Sequence, residues 1–287
     1  MNKSKFTKQL IIGSANFVQK YGVDSRLINK DEIKKILYLA KINNINKIDT
    51  ADSYLNKSNI FKRIDNKFQF ITKINPDKKW ISLDYCQKKI QEHFKRFNTN
   101  KIHTLLVHDI DVLFRKSGPK IFENLENLKK KNFFKKIGIS IYDPECLNYL
   151  IPNYNIDVVQ CPYNILDKRI VRSGWFNRLK NKEIEIHARS IFLQGLLVNE
   201  SLYKKKYFKK WKKFFFKWFE NLKDNDISPI SYCLSDLLDY NFDKIIIGIS
   251  NSDNLKNIIN FKKAKNRNKI LDIKINDLKL IDPRNWK

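Results

Sequence analysis

The chain has 287 residues, of which 57 are Lys or Arg and 30 are Asp or Glu, for a formal net charge of +27. Its 42% hydrophobic and 13% aromatic content is enough for a sizeable core and excludes a mostly disordered chain. No apolar run approaches the ~18 residues a membrane-spanning helix needs, and the apolar stretch near the basic start covers only 10–12, so neither a membrane span nor a secretory leader is predicted and a cytoplasmic location is expected.

In chain order, an N-terminal strand over 9–12 is expected to cap the floor of the fold as a short β-hairpin. Short apolar runs then alternate with helical patterns. Candidate strands lie at 47–51 (KIDTA), 68–74 (FQFITKI), 102–109 (IHTLLVHD), 136–141 (KIGISI), 157–162 (DVVQCP), 183–190 (EIEIHARS) and 244–250 (KIIIGIS). Helices are predicted at 31–43, 84–97, 120–131, 144–150, 173–181 and 228–239. Asp31 is read as the cap of the first, and Ser228 as the cap of the last, with Pro229 at its first helical position. The strands are nearly continuous apolar runs, which implies burial on both faces, as in a parallel sheet. Strand–helix alternation over this length predicts a (β/α)8 TIM barrel, one domain over 1–287. Seven strands are countable, and the eighth is expected after Ser250.

The charge carries less than its size suggests. The chain has 47 Lys against 10 Arg and 33 Asn against 5 Ala, the bias an AT-rich coding sequence supplies. Nucleic-acid sites favour Arg for bidentate contacts, so no specific nucleic acid is expected as a partner. The densest basic segment, SLYKKKYFKKWKKFFFKWFE at 201–220, holds eight Lys and nine aromatics. Trp211, Phe214 or Phe215, Trp218 and Leu222 recur at helical spacing, which predicts a helix with one core-packed face; a membrane-surface or nucleic-acid helix is the alternative. Cys86, Cys146, Cys161 and Cys233 are far apart with no CxxC pair, so neither a disulfide framework nor a metal site is expected.

Chemistry in such barrels sits at the C-terminal ends of the strands. Those ends deliver Asp49 with Tyr54 in the following loop, then Lys73, then His108. A carboxylate, a phenol, an ammonium and an imidazole therefore converge on one rim from three successive candidate strands.

Most of the chain resembles the aldo/keto reductase family. LIIGSANFVQKYGV resembles that family's first strand and glycine-containing loop, around Gly13. IDTADSY resembles its Asp-and-Tyr motif, FITK its lysine strand and TLLVHD its histidine strand. GIS at 138–140, VVQCPYN around Gln160, RSIFLQGLL around Gly195 and IIIGISNSDNL around Gly248 follow in family order. The resemblance implies an oxidoreductase that reduces an aldehyde or ketone, with NADPH as the usual cofactor and NADH as the alternative, bound across the barrel mouth. Tyr54 is then the proton donor. Lys73, held by Asp49, is expected to lower the phenol's pKa, and His108 to polarise the carbonyl.

By motif position, Ser140 and Gln160 would hold the nicotinamide carboxamide. Gly195 and Leu196 would lie under the pyrophosphate, beside Ser190. Gly248, Ser250, Asn251 and Asn254 lead into a helix N-terminus suited to phosphate. Four departures stand out: Ile141 in place of an Asn, Arg189 where an aromatic stacks on the nicotinamide, Asn251 and Asn254 where NADP-preferring relatives carry Lys or Arg (with Lys256 nearby), and LNKSN at 55–59 in place of a Gly-, Ser- and Glu-rich loop. Phe17, Trp80, Ile110 and Tyr142 are expected to line the substrate pocket, and the partner is a small carbonyl compound, with an oxidised sugar or sugar derivative as one candidate. A catalytically idle barrel that senses cofactor or binds a partner is the rival reading.

Overall fold

Eight parallel strands close into a barrel in chain order: β1 (Leu10–Gly13), β2 (Lys47–Asp49), β3 (Gln69–Ile74), β4 (Ile102–Val107), β5 (Phe134–Ser140), β6 (Val158–Pro162), β7 (Glu185–Arg189) and β8 (Lys244–Gly248). The computed structural model describes residues 3–24, 27–55, 59–65, 67–264 and 277–286. The (β/α)8 barrel expected from the alternation is therefore present, with two corrections. Residues 9–12 form no floor hairpin: Leu10 opens β1, which pairs with β2 and β8 as a full stave, and the helix Lys3–Gln9 precedes it. The strand itself is present as expected, and its burial on consecutive residues is that of a stave covered on both faces. With β1 counted, β8 at Lys244–Gly248 is the eighth strand, and none after Ser250 is needed to close the barrel.

Helices follow the strands and pack their apolar sides on the barrel wall. The first long one is Lys30–Ile42, and its cap is Asn29, whose side chain accepts from the Glu32 amide at 2.9 Å; Asp31 lies inside the first turn, paired with Lys34. Ser228 caps Pro229–Leu237 as expected, accepting from the Ser231 amide at 3.1 Å. The 201–220 segment forms short 3-10 turns followed by the helix Lys212–Asp224. Phe208, Phe215, Trp218 and Phe219 are buried in the core while Lys209, Lys210, Lys212, Lys213 and Lys217 face solvent. The aromatics that a membrane or nucleic-acid surface would need are thus consumed by packing, apart from Phe216. Among the described residues no helix is long and apolar enough to cross a membrane.

Strand alternation organises the barrel interior into three levels, because residues i and i+2 share a face. The middle level is apolar: Ile11, Ile71, Leu106, Val158 and Ile246 form a buried cluster separate from the main core. Two residues further along the same strands stand Gly13, Lys73, His108, Gln160 and Gly248, which face the mouth. Two residues before Asp49, Gly138, His187 and Ile246 stand Lys47, Lys136, Glu185 and Lys244, at the floor. Gly138 belongs to the crowded middle: a Cβ there would lie 2.2 Å from the Val158 carbonyl oxygen and 2.9 Å from Leu106 Cδ2. Only a residue without a side chain lets β5 and β6 close at that height.

Candidate active site

The mouth of the barrel opens into a cavity of about 490 Å³. Asp49, Tyr54, Lys73 and His108 all line it. Asp49 ends β2, Lys73 is the penultimate residue of β3, and His108 follows β4, its amide donating to the Ile74 carbonyl at 2.8 Å. Tyr54 comes from the one-turn helix Asp52–Leu55, whose start is fixed by the Tyr54 amide donating to the Ala51 carbonyl at 2.9 Å.

The Lys73 ammonium donates to Asp49 Oδ1 at 2.5 Å and to the Thr50 carbonyl at 3.2 Å, with both side chains of the ion pair about nine-tenths buried. The other carboxylate oxygen, Asp49 Oδ2, accepts from Gln160 Nε2 at 2.9 Å. A buried charge needs this degree of satisfaction to be tolerated. Burial depresses the Lys73 pKa and Asp49 opposes that effect. Burial, Lys73 and Arg189 together push His108 down to about 4 from the usual 6.5, so its imidazole is neutral at neutral pH.

Tyr54 departs from expectation. Its phenol is held well above the ordinary value, first by burial and then by Tyr21, Asp49 and Tyr142; Arg189 is the cation that opposes the rise. The cation that lowers it is Arg189 rather than the anticipated Lys73, whose partner Asp49 itself adds to the rise. The resting phenol is the protonated form, the one able to donate a proton.

Gly13, Ser140, Gln160 and Arg189 line the same cavity, as do Ser190, Gly195, Gly248, Ser250 and Asn254. Two of the residues carry unspent polar atoms. Ser140 Oγ and Gln160 Oε1 are buried with no hydrogen-bond partner among the described residues. They sit opposite each other on the paired strands β5 and β6. A buried pair comprising a hydroxyl and an amide oxygen without partners is costly unless a ligand completes it, and a carboxamide has the matching acceptor and donor. The residues present therefore fit a nicotinamide.

Other expected positions lie elsewhere. Leu196 is 0% exposed and packs in the core. Asn251 turns its side chain back to accept from the Asn254 amide at 2.8 Å, capping the helix Ser252–Ile259, and the Ser252 amide donates to Glu32 Oε1 at 2.5 Å. The helix terminus expected to receive a phosphate is thus already occupied in part by the chain's own side chains. Phe17 and Trp80 are core residues and Ile110 packs against the core; of the four expected substrate liners only Tyr142 lines the cavity. The 56–58 part of the departing loop lies outside the described residues.

Arg189 reaches across the mouth rather than along it. Its Nη2 donates to the Ile141 carbonyl at 3.0 Å and its guanidinium lies 4.1 Å from the centre of the Tyr142 ring. Arg284, from the C-terminal turn Pro283–Asn285, lies 3.6 Å from the same ring centre. Two planar guanidiniums cannot share one ring face at those distances, so Tyr142 is sandwiched. Arg284 is held in turn by Asp282, Nε donating to Oδ1 at 3.0 Å. Nothing in the sequence pattern flagged Arg284, Tyr21 or Gln194, which also shape the site. Tyr21 and Gln194 line the cavity, and the Val23 amide donates to the Gln194 carbonyl at 3.4 Å, joining two loops over the mouth. Gln194 has φ 51° between Leu193 at 46° and Gly195 at 93°, a left-handed bend that only the glycine signals.

No curated protein sequence matches the chain. Several solved structures share its fold. An aldo-keto reductase from Bacillus halodurans in its holo form is 19% identical, covering 90% of this chain and 87% of its own, with a TM-score of 0.68. The glycerol dehydrogenase from Gluconobacter oxydans is 16% identical, covering 88% and 85%, with a TM-score of 0.65. A Pseudomonas aeruginosa protein assigned to the aldo-keto reductases is 18% identical, covering 88% of both chains, also with a TM-score of 0.65. At these identities the likeness shows the fold alone. The profile of the aldo/keto reductase family matches residues 9–273, nearly the whole barrel, and the chain belongs to that family of oxidoreductases.

Proposed function

We propose that the protein reduces an aldehyde or ketone with a nicotinamide dinucleotide, Tyr54 giving the proton to the carbonyl oxygen. One observation carries this reading: a buried Asp49–Lys73 pair, the Tyr54 phenol and a neutral His108 line the same cavity as two unpartnered polar atoms suited to a carboxamide. When bound, the dinucleotide supplies the hydride. Ser140 Oγ would donate to the carboxamide oxygen and Gln160 Oε1 accept from its amide. Neutral His108 offers one ring N–H to the substrate oxygen and so stabilises the charge that develops there. Tyr54 protonates that oxygen, and Arg189, the cation that lowers its pKa, favours the phenolate left behind. The Asp49–Lys73 pair holds Gln160 and the floor of the site in register.

The choice of dinucleotide turns on the helix Ser252–Ile259. Lys256 is spent on Asp253 at 2.9 Å, and the Glu32 carboxylate occupies the Ser252 amide. A 2′-phosphate placed there would meet an anion, so this seat favours NADH where the family expectation is NADPH. Fluorescence titration with both reduced forms decides it; NADPH binding the tighter would reverse this assignment.

Tyr54→Phe tests the chemistry. It keeps the ring and removes the proton. Reduced-cofactor quenching is expected to stay at the wild-type midpoint while turnover on a panel of aldehydes and ketones falls by roughly 10²–10⁴-fold. A fully active variant removes Tyr54 from the mechanism. Cofactor binding by the wild-type chain without turnover of any carbonyl favours the idle, cofactor-sensing barrel, for which Ile141 and the engaged Arg189 are the supporting departures.

A further inference from the structure

The opposite end of the barrel carries a second concentration of positive charge, gathered in a depression rather than spread along an exposed face. A depression of about 470 Å³ lies at the foot of β1, β2, β3 and β8. Five of its nine lining residues are lysines: Lys8, Lys41, Lys47, Lys67 and Lys244. Composition alone does not place them there. The larger cavity at the mouth has Lys73 as its single lining lysine, although both draw on the same lysine-rich chain. No carboxylate lines the floor depression. The acids nearby are committed: Asp65 to Lys41 at 2.6 Å, and Glu185 to Lys136. Among the described residues no carboxylate pairs with Lys8, Lys47 or Lys67, and Lys244 donates to the Lys8 carbonyl at 2.9 Å, which leaves its charge uncompensated.

Lys47 is the centre of the group. It shares the inward face of β2 with Asp49 and is only partly exposed. Burial and the charges of Lys244, Lys136 and Lys135 depress its pKa, with Glu185 alone opposing. Burial and the charges of Lys47, Lys136 and Lys135 push neighbouring His103 down to about 4. The free protein therefore holds several like charges together at a cost, and an anion seated among them relieves it. Lysines are compact point charges on flexible stems, matched to clustered phosphate oxygens rather than to the planar fork that a lone carboxylate prefers. The depression has room for a small molecule, and the apolar level of Ile11, Ile71, Leu106, Val158 and Ile246 separates it from the mouth.

We propose that the barrel floor is a binding site for a small anion bearing two or more phosphate groups, held by Lys47, Lys244, Lys67 and Lys8. It is independent of the cavity at the mouth and of the reaction assigned to it.

The test is calorimetric titration of the full chain with pyrophosphate, tripolyphosphate, ATP and a single-stranded oligonucleotide at about 0.1 M salt, where remote surface charges are screened. Tripolyphosphate is expected to bind once per chain, and Lys47→Gln with Lys244→Gln to weaken it by at least about tenfold, the loss of charge-assisted bonds. Binding of ATP at the same site as tightly as tripolyphosphate makes a nucleotide the source; weaker binding makes it an inorganic chain, and both support the site. Lys212→Gln with Lys213→Gln removes the same charge from the exposed face of Lys212–Asp224 and is expected to leave binding unchanged. Nicotinamide quenching at the mouth serves as the folding control for every variant; if the first pair does not fold, Lys8→Gln with Lys67→Gln, both exposed, is expected to weaken tripolyphosphate severalfold. Absence of binding, an equal loss in the Lys212 and Lys213 control, or an oligonucleotide that binds more tightly than tripolyphosphate through the same lysines overturns the proposal, the last in favour of a nucleic-acid surface.

Discussion

Lys73 is one of 47 lysines, and nothing about its type distinguishes it. Its position does: near the end of a strand, with Asp49 at the end of the strand before, it is the lysine that the barrel buries against a carboxylate. Removing one member of such a pair strands the other charge in a site it cannot leave. Lys73→Met is therefore expected to cost about 3–5 kcal/mol of folding stability, read from urea unfolding, and Asp49→Asn a similar amount. The double variant is expected to lose less than the sum, because each single change already includes the penalty for the abandoned partner. A loss below about 1 kcal/mol for Lys73→Met would show that the pair is far better solvated than its burial implies. Residues at strand ends were legible because a strand fixes where its last side chains point. Leu196 and Gln194 were not. Their directions follow from consecutive left-handed residues at Leu193 and Gln194, conformations that the side chains there do not advertise.

At the scale of elements, the barrel interior explains more than any motif does. Five apolar residues in the middle level each lie two positions before a residue that faces the mouth, so a register slip of one residue on any stave would turn the site outward. Gly138 is where this level is tightest. Gly138→Ala would force a Cβ onto the Val158 carbonyl, a backbone group that cannot yield as the nearby Leu106 side chain could. The expected cost is at least about 1–3 kcal/mol in urea unfolding, with cofactor binding weakened as β5 and β6 part and Ser140 moves away from Gln160. A variant as stable as the wild type and equal in cofactor affinity would mean the two strands are free to adjust. The sequence announced seven of the eight staves because each is a run of apolar residues flanked by polar ones. It placed a strand at β1 but not its role as a stave, because four residues carry no sign of which partners they pair with, and it missed the cap of Lys30–Ile42, because Asn29 and Asp31 are equally good capping types two positions apart.

At the scale of the whole molecule, the +27 charge, spread along the chain, acts on stability. Several lysine–carboxylate pairs, such as Lys34–Asp31, Lys89–Glu92 and Lys120–Glu123, are solvent-accessible contacts three residues apart that contribute little, and the lysines outnumber the acids available, so the excess positive charge is left to repel itself. Two histidines sharpen this at low pH. His103 and His108 are both pushed to about 4, while an unfolded chain titrates them near the ordinary 6.5. Between those values the unfolded state binds more protons than the folded one. The stability that the two neutral imidazoles contribute is complete above about pH 6.5 and is lost as the pH falls towards about 4. Raising sodium chloride from about 0.01 to 0.1 M shortens the screening length from about 30 to about 10 Å and should relieve the lysine–lysine repulsion. The melting temperature is therefore expected to rise with salt at pH 7 and to rise by more at pH 5, where protonation begins to add charge beside Lys47 and Lys73. His103→Gln is expected to flatten part of the pH dependence, because a neutral amide replaces a ring that titrates only on unfolding. A melting temperature that falls with salt at both pH values would show that attractive pairs outweigh the repulsion, and would remove the electrostatic strain on which the basic floor of the barrel depends.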